Sequence, residues 1–212
     1  MKMTKFNSVI NDLENCVQEG DIIFISINSF LYRQVAKGTG SWTSHVGFVV
    51  KENDEWFVLE SAVPCVRRTT LKDFVSRTTN DEVSILRLKQ PLAGRDISKL
   101  KQTAEKRMGR FYHLGFKFDS KRQFCSKFVY LTFKEALGIE LGKVQTLAEL
   151  LDENPQASVN FWRCWYFGFV PWQRKTITPA SQLNDPQLET IYTTVSQGTK
   201  EQVLCDSGLQ SN

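Results

Sequence analysis

Two features of this chain invite nucleophilic chemistry: a cysteine where a polar loop turns into an amphipathic helix, and a histidine that opens a strand. From Cys125 onward, Phe128, Val129, Thr132, Phe133, Ala136 and Leu137 recur at i, i+3, i+4, i+7 and i+8 spacing, and Gly138 ends the pattern as a C′ residue. This periodicity predicts a helix whose first turn carries Cys125. Free backbone N–H groups and the positive end of the helix dipole favour a thiolate there, and the same N–H groups can hold a developing oxyanion. A cysteine nucleophile also needs a base, and the chain contains two histidines, His45 and His113.

His45 is the stronger candidate because of its strand. It opens the run Ser44-His45-Val46-Gly47-Phe48-Val49-Val50, so it can project from a sheet edge into a cleft, and Gly47 lets a backbone or a ligand come close. The turn Lys51-Glu52-Asn53-Asp54-Glu55 leads into Trp56–Val63, which pairs with that strand as a hairpin. Glu60 is the odd member of the second strand, since charged side chains are rarely buried in a strand unless paired. A carboxylate there could accept the imidazole N–H and fix its tautomer, as the third member of a triad. An exposed strand glutamate is the plain alternative.

The remaining elements frame these positions. Val9, Ile10, Leu13, Cys16 and Val17 form one face of a helix that Gly20 stops, and Ile22–Ser26 is a short buried strand. Asn28 to Thr43 reads as a helical turn followed by a flexible loop suited to substrate contacts. Cys65–Arg68 is a short strand, Thr70-x-x-Asp73 caps a helix, and Val83–Leu88 alternates into another strand. A helix carrying Ile97, Leu100, Ala104 and Met108 stops at Gly109, and Thr146-Leu147-Ala148-Glu149 is a capping box for a further short helix. Phe161–Trp172 is the most aromatic segment, read as packing with part of it available to line an apolar groove.

Composition narrows the function classes. With 27 basic and 23 acidic residues the net charge of +4 is small and scattered, which argues against a dedicated nucleic-acid or membrane surface. The mixed aromatic and basic linker Arg110–Phe124 reads as a packed loop rather than a nucleic-acid platform. The start of the chain has no greasy run of signal-peptide type, and no stretch of eighteen apolar residues occurs, so stable membrane insertion is not expected. Five dispersed cysteines form no C-x-x-C pair, which fits reduced thiols and a cytoplasmic location. They and the two histidines offer no standard zinc spacing, so no metal or other cofactor is implied. One α+β domain is expected over 1–194, with 195–212 a polar, frayed tail containing Cys205.

The order of motifs carries a resemblance. Gly20-Asp21-Ile22-Ile23-Phe24, Ser44-His45-Val46-Gly47, Glu60-Ser61, the Tyr112 segment and Phe124-Cys125-Ser126-Lys127-Phe128-Val129 together resemble the circularly permuted branch of the NlpC-type, papain-like cysteine hydrolases, of the YiiX/YebB-like kind. There the histidine strand precedes the cysteine helix. The resemblance runs from about Gly20 through Trp172–Ser181. It implies an antiparallel sheet or half-barrel packed against helices, Cys125 as nucleophile, His45 as base, Glu60 as the residue orienting it, and Tyr112 as a helper at the oxyanion site. Where many relatives have an aspartate after that tyrosine, this chain has His113, read as a loop residue.

Three functions follow as expectations. The first is a cysteine hydrolase cleaving a peptide or muropeptide-like amide through a thioester. The second is a lipid acyl hydrolase, acyltransferase or thioesterase, which an apolar groove beside Cys125 would favour. The third is a catalytically silent binding domain. The partner expected is a small peptide or acyl-containing substrate, with the oligomeric state left open.

Overall fold

A computed structural model describes residues 3–155 and 157–195 of the chain. The chain opens with α1 (Met3–Cys16), β1 (Ile22–Ile27) and α2 (Phe30–Gly38). Val9, Ile10, Leu13 and Val17 are buried as the periodicity requires, and Gly20 turns the chain at φ +90. Asp21 then pins the start of β1, since its buried carboxylate accepts both Arg87 Nε at 2.7 Å and Arg87 Nη2 at 2.8 Å. The stretch expected to be a turn and a flexible loop is a nine-residue helix, α2. Its N-cap, Ser29, makes no side-chain capping bond, so the usual start signal is missing.

β2 (His45–Glu52) and β3 (Glu55–Ser61) form the expected hairpin, closed by Asn53 and Asp54 at φ 48 and 64. Positive φ at both central residues matches the twist of the flanking strands, which is why Asn and Asp stand there. β4 (Val66–Thr70) follows, and α3 (Leu71–Ser76) starts where Thr70 Oγ1 accepts from Asp73 N at 3.1 Å. β5 (Thr78–Leu88) begins five residues before the expected Val83, because its polar first half, with Asn80 and Asp81 at positive φ, hides the alternation.

α4 (Gly94–Glu105), α5 (Cys125–Leu137), β6 (Gln145–Thr146), α6 (Leu147–Glu153), α7 (Val159–Trp165), β7 (Lys175–Thr176), α8 (Pro179–Leu183) and β8 (Leu188–Thr193) complete the described chain. α5 ends as read, with Gly138 at φ +74. The last helix and strand were not anticipated: α8 is five residues long, and β8 is a short edge strand. The tail read as frayed lies outside the described residues from 196 onward, Cys205 with it.

The six long strands form one antiparallel sheet in the order β4-β3-β2-β1-β5-β8, so the α+β expectation holds. Both faces are covered. Phe24, Val46, Phe48 and Leu86 meet α4 and α5 through Leu100, Ala104, Phe128 and Phe133, while Ile23, Ile25, Val49 and Val58 meet α1 and α3 through Leu13, Leu71 and Phe74. Double coverage explains why β1 and the middle of β2 read as continuous apolar runs rather than alternating ones. No helix among the described residues is long and apolar enough to cross a membrane.

Gly47 sits opposite Glu60 in the β2–β3 ladder, and a Cβ there would lie 2.5 Å from Val58 Cγ1 and 2.9 Å from the Leu59 carbonyl oxygen. The close approach expected at this glycine is thus that of the neighbouring strand. Since a backbone atom is in the way, Gly47→Ala should destabilise the protein by about 1–3 kcal/mol, read as a lower urea midpoint.

Candidate active site

The strand register brings His45 and Glu60 together. Gly47 faces Glu60 directly, so His45 is its diagonal neighbour on the same face of the sheet. Glu60 Oε2 lies 2.5 Å from His45 Nε2, and neither side chain has exposed surface. The other claims on the carboxylate come from three further groups. Thr69 Oγ1 donates to Oε1 at 2.6 Å, Arg67 Nε donates to it at 3.1 Å, and Arg77 Nη2 reaches both oxygens at 2.9 Å. Burial alone would push the Glu60 carboxyl up. The imidazole, Arg77 and Thr69 outweigh it and hold the group well below the usual carboxylate range.

His45 is held from above and below as well. The Phe74 ring of α3 stacks on it at 5.5 Å, Tyr32 of α2 meets it edge-on at 5.5 Å, and the Arg77 guanidinium lies 4.9 Å from the Phe74 ring centroid. With Nε2 committed to Glu60, the remaining nitrogen, Nδ1, is buried without a full hydrogen bond. Its neighbour is Cys125. Burial lowers the imidazole pKa, but the interactions with Cys125 and then Glu60 together raise it above its ordinary value. The thiol therefore acts on the ring across a contact looser than strict hydrogen-bond geometry, as is common in unliganded sites.

Cys125 opens α5, whose N-cap is Phe124, a residue with no side chain to cap the first turn. The helix start is fixed from outside instead. Ser126 Oγ donates to Ile177 O at 2.8 Å, buried Gln182 Nε2 donates to Ser126 O at 3.0 Å, and buried Lys127 Nζ donates to Arg122 O at 2.8 Å. Tyr112 is buried beside Cys125, and Tyr32 adjoins Tyr112. Burial first, and then the charge at Cys125, pushes both phenols above their ordinary range, so both stay protonated and able to donate.

The four residues singled out from sequence, Cys125, His45, Glu60 and Tyr112, are thus brought to one place. His113 is not part of it: its Nδ1 accepts from Gly115 N at 3.0 Å within its own loop. Tyr32, Thr69, Arg67, Phe74 and Arg77 were missed, because each reaches the site from another element and none belongs to a local motif. Cys125 also lines a narrow cavity. Its far walls come from Val35 and Gly38 of α2, Leu147 and Leu150 of α6, and Trp162 and Tyr166 of the aromatic segment. Among the described residues Arg174 is the one charged side chain in the lining, and no carboxylate takes part.

The buried carboxylate has a consequence for acid stability. Because the folded pKa of Glu60 lies below its ordinary value of 4.5, its contribution is full above that pH and is lost as pH falls below it. Urea titrations between pH 2.5 and 7 should show this contribution to wild-type stability level above about pH 4.5 and falling below it. Glu60→Gln should be less stable at pH 7, with Arg67 and Arg77 unpaired, and should show a flatter acid limb.

Comparison with known proteins agrees with this architecture. A crystal structure titled metalloprotein yiiX from Escherichia coli O157:H7 superposes with a TM-score of 0.78 at 30% identity, covering 84% of this chain and 98% of that one. The uncharacterized protein YiiX of Escherichia coli strain K12 is 29% identical over 174 residues, which is 82% of this chain and 85% of that protein. Residues 16–192 match the model of a family described as permuted papain-like amidase enzyme, YaeF/YiiX. With its histidine strand ahead of its cysteine helix and a match across most of its length, the chain belongs to the YaeF/YiiX family of permuted papain-like amidases.

Proposed function

We propose that the protein is a cysteine amidase that takes an apolar acyl group onto Cys125. The observation that carries this reading is the position of Cys125, in the wall of an apolar cavity with the His45–Glu60 pair behind it. Glu60 accepts a hydrogen bond from His45 Nε2–H and leaves Nδ1 as the basic nitrogen. Nδ1 takes the Cys125 proton and the thiolate attacks the amide carbonyl carbon. N–H groups of the first turn of α5 and the Tyr112 hydroxyl face the resulting oxyanion. The imidazolium then protonates the departing amine as the C–N bond breaks, which leaves a thioester. A water that gives its proton to His45 attacks the thioester, releases the carboxylic acid and restores the thiol.

The cavity lining supports an acyl chain over a peptide. A peptidase that reads a free amine needs a carboxylate near the scissile bond, and none of the described residues places one in this lining. Leu147, Leu150, Trp162 and Phe116 instead provide apolar surface. The same lining favours a second reading, in which the scissile bond is a lipid ester or thioester and the acceptor is water or another nucleophile.

The structural relative is titled a metalloprotein. The residues here do not fit a resident metal centre. Among the described residues no three His, Cys, Asp or Glu side chains are arranged to hold a metal ion, and the Glu60 oxygens are occupied by His45, Thr69, Arg67 and Arg77. That leaves Cys125 and a single nitrogen of His45, fewer ligands than a closed or catalytic site uses.

Anilides of increasing acyl length test the reading. Each buried methylene contributes roughly 0.8 kcal/mol, so four more, from butyryl to octanoyl, should raise kcat/KM by on the order of 100-fold. Cys125→Ala should abolish turnover. A flat length profile would remove the acyl-chain reading, and absence of Cys125-dependent turnover on any amide or ester would leave a binding domain. Iodoacetamide labelling gives an independent check: His45→Ala should slow modification of Cys125 at least ~10-fold while exposed Cys164 is unaffected.

A further inference from the structure

The segments 110–124 and 161–175, far apart in sequence, are clasped together beside the cavity. Trp165 Nε1 donates to Leu114 O at 3.0 Å, Tyr166 Oη donates to Gly115 O at 3.1 Å, Arg174 Nη1 donates to Gly115 O at 2.9 Å, and Phe118 N donates to Lys175 O at 2.9 Å. Both segments also supply cavity walls, Phe116 and Phe124 from the first, Trp162 and Tyr166 from the second.

The outer surface of this clasp is unusual in two respects. Phe167 and Phe169 are 93% and 88% exposed at the tip of a tight turn after α7, and Trp172 and Leu114 are also exposed. Isolated exposed apolar residues need no explanation, but two phenylalanines on one turn with further apolar neighbours form a patch. The turn holds them there at some cost, because Phe167 adopts φ +52, a left-handed conformation that is an outlier for a bulky residue. The turn is closed by Gly168 N donating to Arg163 O at 2.7 Å.

The second respect is charge. Arg110, Lys117, Lys121 and Arg122 on the first segment, and Arg163 and Lys175 on the second, are all exposed, whereas Asp119 is the one acidic residue of the two segments. On α6, Glu149 is engaged in its capping box and Glu153 with Lys143 and Gln145, while Asp152 is exposed. The two clasped segments thus carry six exposed basic residues against one acidic residue.

We propose that this clasp docks on an anionic lipid surface, with Phe167 and Phe169 entering the interfacial region and the exposed lysines and arginines of the two segments meeting the headgroups. Aromatic rings favour the membrane–water interface, and each basic residue near an anionic surface adds to its attraction. A single-stranded nucleic acid could also meet basic and aromatic residues. The lipid surface is favoured because the most exposed rings are phenylalanines on a turn tip rather than a flat stacking platform, and because the clasp borders an apolar cavity. The proposal goes beyond the amidase reading and does not depend on Cys125 chemistry.

Flotation of the full chain with vesicles tests it. Vesicles of phosphatidylcholine containing phosphatidylglycerol should capture the protein, Cys125→Ala included, and vesicles of phosphatidylcholine alone or 0.5 M salt should weaken capture at least ~10-fold. The exposed double substitution Phe167→Ser with Phe169→Ser should lower capture at least ~10-fold while leaving the thermal midpoint and Cys125 labelling unchanged. The proposal is overturned if anionic vesicles fail to capture the protein or the double variant binds them as the wild type does. It is equally overturned if a single-stranded oligonucleotide binds through these residues and vesicles do not.

Discussion

An ionised carboxylate without exposed surface is costly unless several partners surround it, and Glu60 is such a group. Its partners come from two strands and a helix end: His45 from β2, Arg67 and Thr69 from β4, and Arg77 from the C-cap of α3. A slip of one residue between β2 and β3 would turn Glu60 to the other face, away from all of them, so one charge strongly constrains the register of half the sheet. The same charge also settles what His45 can do. Once Nε2 faces the carboxylate, the other nitrogen is the only one able to serve Cys125.

Much of the site was legible in sequence because each of its central residues breaks a local rule. A cysteine at a helix start, a histidine at a strand start and a glutamate inside an apolar strand are conspicuous against the periodicity around them. The α5 helix, the β2–β3 hairpin and the capping boxes were legible for a related reason, since their signals lie within a few residues. What was not legible depends on distant contacts. Arg77 looks like any basic residue after a helix, and nothing near it announces that its guanidinium spans to a carboxylate on β3. Tyr32 lies in a helix without a capping signal, and β8 is a short, half-polar strand whose partner, β5, is about a hundred residues earlier. The aromatic segment was legible as unusual but not as divided: Trp162 is buried in the cavity wall, whereas Phe167 and Phe169 point to solvent.

Cys125 stands at a boundary between two kinds of environment. Behind it are His45, Glu60 and two arginines, a densely hydrogen-bonded group in which electrostatic interactions are strong because water is excluded. In front of it the cavity is apolar and built by elements outside the sheet. In the proposed reaction the sheet would supply the proton chemistry, and α2, α6 and the aromatic segment the surface offered to a substrate. This division would let membership of an amidase family coexist with a lining suited to an acyl chain, since the two rest on different elements of the fold.

The start of α5 follows the same logic at the level of the backbone. A serine or aspartate at the N-cap would stabilise the helix by about 1 kcal/mol, but its oxygen would occupy an N–H group of the first turn. Phe124 stands there instead and leaves those donors without a capping side chain. The stability that a cap would provide is replaced by bonds from elsewhere: Ser126 to Ile177, Gln182 to Ser126, and Lys127 to the preceding loop. These bonds use side chains and a carbonyl of the first turn, not its N–H groups. The helix start is thus held rigid while its donors remain free for the oxygen of a ligand, the arrangement that stabilisation of a developing oxyanion requires.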